Sequence, residues 1–79
     1  MREDRKREFP NAAEMVRIEM VRCGYTAESL SQRTEISASV LRGILTGRST
    51  AISTRNLYAL SAAFGYPMAE FIDLLSGNL

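Results

Sequence analysis

The chain is cut into short pieces by its own punctuation, and the cutting excludes most folds. Gly24, Gly47 and Gly65 each close an apolar-periodic run, and Thr26, Ser53 and Pro67 stand a few residues further on. Glycine just past the last periodic residue favours the left-handed conformation that ends a helix. A hydroxyl or proline at the next start suits the unpaired amides of a new first turn. Helices this short are marginal alone in water and must bury an apolar face against one another.

Five helices follow from these signals. Pro10-Asn11 opens the first, with Asn11 as N-cap and Glu14 at capping-box spacing. Its apolar residues are Met15, Ile18 and Val21, flanked by Val16 and Met20, and it runs to about Cys23. Thr26 caps a second helix through Arg33, Thr34-Glu35-Ile36 forms a turn, and Ser37 caps a third helix to about Thr46. After the polar loop GRSTAIS, Ser53 or Thr54 opens a fourth helix with Leu57, Leu60 and Phe64 inward. Pro67 begins a fifth, which carries Phe71, Ile72, Leu74 and Leu75.

No stretch alternates apolar and polar residues long enough to read as a strand. The expected architecture is therefore all-α: one five-helix domain over residues 10–79, preceded by a charged arm over residues 1–9. In that arm Arg2, Arg5, Lys6 and Arg7 are interleaved with Glu3, Asp4 and Glu8, as in a solvated tail. With 79 residues, 46% of them hydrophobic, the chain has material for one core and not two.

The net charge of +1 is uninformative, but its distribution is not. No acidic residue lies between Glu35 and Glu70, while Arg42, Arg48 and Arg55 do, together with Ser37, Ser39, Thr46, Ser49, Thr50, Ser53 and Thr54. Cations and hydroxyls without a carboxylate are what a phosphate-contacting surface requires. The same hydroxyls also serve as helix caps.

Catalysis finds no support. There is no His, so the commonest general base and metal ligand is missing. Cys23 is the only cysteine, has no activating partner, and reads as packing on an apolar helix. The glycines form no phosphate-cradling loop. No cofactor, metal or small-molecule substrate is expected. A lone cysteine suits a reducing cytoplasm, and neither a leader nor a membrane span is expected.

The segment from Thr26 to Gly47, TAESLSQRTEISASVLRGILTG, carries the function. Two short helices, each opened by a hydroxyl N-cap and joined by a tight turn, match the helix-turn-helix plan. Leu30, Ile36, Leu41, Ile44 and Leu45 can share one core, and Ser31 is small where the helices approach. The third helix then turns Ala38, Ser39, Arg42 and Gly43 outward.

With Gly24-Tyr25-Thr26, these core positions, Ser37, Gly47 and the fourth-helix pattern in place, the chain resembles the phage lambda repressor and Cro type of helix-turn-helix domain. The resemblance spans roughly Asn11 to Leu75. It implies a five-helix DNA-binding regulator, most often a repressor, whose third helix enters the major groove of double-stranded DNA. Ala38, Ser39, Arg42 and Gly43 would then face base edges, with Arg42 able to bond a guanine in bidentate fashion. Thr26 with the first amides of the second helix would hold one phosphate. Arg48, Ser49 and Thr50 would hold another, with Arg55 a further candidate. The fifth helix, through Phe71, Ile72, Leu74 and Leu75, would form a two-fold interface, giving a homodimer on a pseudo-palindromic operator.

The chain departs from the family at Ala27 and Ala38, where many members carry Gln or Arg. These losses leave two alternatives open: a protein-interaction module on the same fold (an antitoxin or inhibitor with a protein partner), or a DNA binder without sequence preference.

Overall fold

The computed structural model describes residues 6–77. In chain order it contains β1 (Lys6–Glu8), α1 (Ala12–Cys23), α2 (Ala27–Thr34), α3 (Ala38–Leu45), β2 (Ala51–Ser53), α4 (Thr54–Phe64) and α5 (Met68–Ser76). The five expected helices are present within a residue or two of their expected bounds. The hydroxyls of Thr26, Ser37 and Ser53 accept the backbone N–H of Ser29, Val40 and Asn56, as N-caps do. Gly24 and Gly65 close α1 and α4 in the left-handed conformation. At α1, however, the expected capping box is not formed. Asn11 makes no side-chain cap, and the Phe9 carbonyl accepts the Ala12 N–H at 2.9 Å instead. A capping box does form at α2, between Thr26 and Ser29.

One core joins all the elements. Val16, Leu30, Ile36, Leu41, Ile44, Leu57, Leu60, Phe64, Phe71 and Leu75 are buried in it. α1 packs on α3, α4 and α5, while α2 packs on α3 and α4. The inward side of α1 differs from the one its apolar residues indicate. Ala12, Val16, Glu19 and Met20 face the core, while Ile18 is exposed and Val21 is 82% exposed.

Glu19 is the reason the pattern misleads, since a carboxylate occupies an inward position. It is only 5% exposed, and it bonds Arg22 Nε at 2.5 Å and the Tyr66 hydroxyl at 2.9 Å. Arg22 also donates to the Phe64 carbonyl at 2.7 Å and lies over the Tyr66 ring. Burial, and then the neighbouring Glu19, push the Tyr66 phenol above its ordinary value. The cluster ties the end of α1 to the α4–α5 junction with its polar atoms satisfied. Cys23 is exposed rather than packed.

Two expectations are corrected at the N-terminal end. Lys6–Glu8 is not a free arm but a strand, antiparallel to β2, with Lys6 opposite Ser53, Arg7 opposite Ile52 and Glu8 opposite Ala51. Phe9 continues the pairing by donating its N–H to the Thr50 carbonyl at 2.8 Å, and its ring is buried at 2% exposure. Ile52, in what reads as a polar loop, is buried as well. Phe9 and Ile52 thus belong to the same core as the helices. Strands of three residues are too short to show a period, and their partners lie far apart in the chain. Arg2, Glu3, Asp4 and Arg5 of the expected arm lie outside the described residues.

The C-terminal helix divides its apolar residues into two pairs. Phe71 and Leu75 are fully inside the monomer, with Phe71 against the rings of Phe64 and Tyr66. Ile72 and Leu74 remain half-buried at the edge of the core.

Two stability measurements check this description. Phe9→Ala should lower the unfolding free energy by about 3–5 kcal/mol in a urea titration, the usual loss for a buried Phe. A free tail would give a change within about 0.5 kcal/mol. Glu35 sits between α2 and α3 with φ 63°, the only non-glycine residue at positive φ among those described. Glu35→Gly removes this strain and a carboxylate from the negative end of α2. A gain of about 1 kcal/mol is expected, which would raise Tm by roughly 4–8 °C in a domain of this size.

Candidate nucleic-acid interface

The angle between α2 and α3 is set by a turn whose polar groups are satisfied locally. Ser31 Oγ donates to the Ile36 carbonyl at 2.6 Å. Thr34 Oγ1 donates to the Leu30 carbonyl at 2.7 Å and accepts the Ile36 N–H at 3.2 Å. Ile36 itself plugs the junction as a buried side chain. Leu41 and Ile44 then anchor one face of α3 in the core, and the opposite face is left to solvent.

That outer face carries the expected residues, but it divides into two flanks. Successive residues are about 100° apart around a helix, so Ser39 lies between Arg42 on one side and Gly43 on the other. Arg42 is exposed and leans toward α2, where its Nη2 is 4.0 Å from Glu28 Oε2. Both side chains are mostly in water, so the pair orients Arg42 more than it stabilises the fold. Ser39, Val40 and Gly43 line a cleft on the other flank, with Arg48, Ser49, Ala51, Ile52, Ser53, Asn56 and Lys6. None of these cleft residues is acidic. Ala38 is half-buried at the start of the helix.

The expected phosphate contacts are only partly brought together. Arg48 and Ser49 line the cleft. Thr50 does not, and its hydroxyl donates to Glu8 Oε1 at 2.5 Å. Thr26 is exposed at the start of α2, with its hydroxyl engaged in the capping box. Arg55 is exposed on the first turn of α4 and is not among the cleft residues.

Sequence reasoning missed Lys6 and Asn56, which both line the cleft. Asn56 had a signal, since it sits three residues past the Ser53 cap on the turn that faces α3. Lys6 had none, because its place depends on the pairing of β1 with β2.

Among the described residues no group of His, Cys, Asp and Glu is placed to hold a metal ion. Among the described residues no helix is long and apolar enough to cross a membrane. No curated relative matches the chain. A protein-family model described as helix-turn-helix matches residues 16–71, from the core of α1 to the buried Phe71 of α5. The match contains the α2–turn–α3 unit whole, with its caps, its plugged turn and its solvent-facing third helix. The chain thus belongs to the helix-turn-helix family, in its lambda repressor-like branch, and is a DNA-binding regulator.

Proposed function

We propose that this regulator is a sequence-specific repressor that lays α3 in the major groove of double-stranded DNA. The observation that carries the reading is Arg42, exposed on the outward face of α3 near Glu28, with a cleft on the other flank whose lining residues include no acid. Arg42 would read a guanine through its bidentate fork, and Ser39 would add a contact to a base or phosphate. Lys6, Arg48, Ser49 and Asn56 would hold the flanking backbone, while the first turn of α2 behind Thr26 would take a second phosphate.

One Arg and a few small residues make a modest reader. Two copies on adjacent half-sites, about 34–36 Å apart, would turn this into a useful affinity. The two-fold contact would draw on Ile72 and Leu74, the residues of α5 that the monomer leaves half-covered. Repression would follow from occupying a promoter in the cytoplasm.

The test is selection of bound duplexes from a random pool, at low and at near-physiological salt. A two-fold symmetric site that survives the higher salt is the expected result. Affinity that vanishes with salt and leaves no motif would replace the reading with non-specific binding. No recovery at either salt would point to a protein partner instead. On the selected operator, Arg42→Ala should relax preference at one base pair per half-site by about 1–3 kcal/mol. Arg48→Ala should instead weaken all duplexes alike and reduce the salt slope by about one unit.

A further inference from the structure

Val40 and Gly43 are the least explained residues of α3. Val40 is 46% exposed, and β-branched residues are mediocre helix formers. The other large exposed apolar residues, Ile18, Val21 and Tyr58, lie on α1 and α4, away from the cleft; only Val40 lines it. Gly43 stands one turn further along, inside a helix, where glycine is usually disfavoured.

Packing does not demand that glycine. A Cβ at position 43 would meet only Ser49 Cβ, at 3.6 Å, which is ordinary van der Waals contact. Gly43 is also not among the residues at positive φ, so its backbone suits any amino acid. What the missing side chain does is leave room beside Ser49 in the cleft that Val40 also lines. In that cleft the apolar side chains of Ile44, Ala51 and Ile52 lie with Val40, and Ser39, Ser49, Asn56, Lys6 and Arg48 supply its polar lining.

We infer that Val40 and Gly43 form a notch that receives the C5-methyl of a thymine. Of the groups on the major-groove edge of the base pairs, that methyl is the apolar one. Val40 supplies the apolar wall, and Gly43 supplies the room for the pyrimidine to approach. The notch thereby selects thymine over cytosine at one position in each half-site. The inference rests on the reading that α3 enters the major groove.

The test uses the selected operator resynthesised with each thymine replaced in turn by deoxyuridine, a change that removes only the methyl. One such replacement per half-site should weaken the native protein about fourfold, the value of one buried methyl-sized group. The same replacement should have no effect on Val40→Ala, which already lacks the wall. Gly43→Ala should melt at the same or a higher temperature than the native protein and yet bind the operator several-fold more weakly.

If no thymine responds to loss of its methyl, or Val40→Ala remains equally sensitive, the notch is refuted while groove binding stands. Gly43→Ala binding as tightly as the native protein would refute the role of the missing side chain. Recovery of no operator at all would remove the groove reading and the notch together.

Discussion

The helix-turn-helix unit of this domain depends on holding one eight-residue helix by a single face. A helix as short as α3 does not persist alone in water, so its position comes entirely from what surrounds it. Leu41 and Ile44 root it in the core, and Ser37 caps its first turn. The Ser31 and Thr34 hydroxyls fix the turn that delivers it. At its far end Arg17 reaches across from α1 and donates to the Leu45 carbonyl at 2.6 Å. This places a cation at the negative end of the helix dipole. With both ends and one face committed, the remaining face has a fixed orientation before any ligand arrives, and little ordering remains to be done on binding.

The parts of this arrangement written in local chemistry were legible from residues alone. Caps at Thr26, Ser37 and Ser53, the stops at Gly24 and Gly65, and the inward triplet Leu57, Leu60 and Phe64 each depend on neighbours within a turn or two. What escaped reading depends on residues distant in the chain. Glu19 is buried because Arg22 and Tyr66 surround it, so α1 presents an inward face that no hydrophobic period reveals. Lys6–Glu8 is a strand because Ala51–Ser53 offers it an edge. Phe71 and Leu75 look surplus on a short helix until the rings of Phe64 and Tyr66 are set beside them. At the candidate site, the type of each residue was readable, but the division of α3 into an Arg42 flank and a cleft flank was not.

The strand changes how the interface is built as well as where the domain begins. By pairing with β2, β1 brings Lys6 to the cleft and Glu8 to Thr50. Glu28 does to Arg42 at longer range what Glu8 does to Thr50. Thr50 and Arg42 therefore each face a carboxylate of their own chain, Thr50 through a hydrogen bond to Glu8 and Arg42 at 4.0 Å from Glu28. Both carboxylates oppose a nearby phosphate, and any contact that Arg42 makes to DNA must compete with Glu28.

That competition bears on how a small domain of net charge +1 can discriminate among sequences. Phosphate contacts raise affinity for every duplex alike, and only contacts to base edges separate one site from the rest. A carboxylate beside Arg42 weakens the first kind of contact there. A bidentate bond from Arg42 to guanine offsets the competition from Glu28 where the correct base is present, and a bare phosphate offers less compensation. Specificity is a difference of affinities, so weakening the common term helps a reader with few side chains to spend on bases. On the proposed reading, Glu28 is part of recognition together with Arg42.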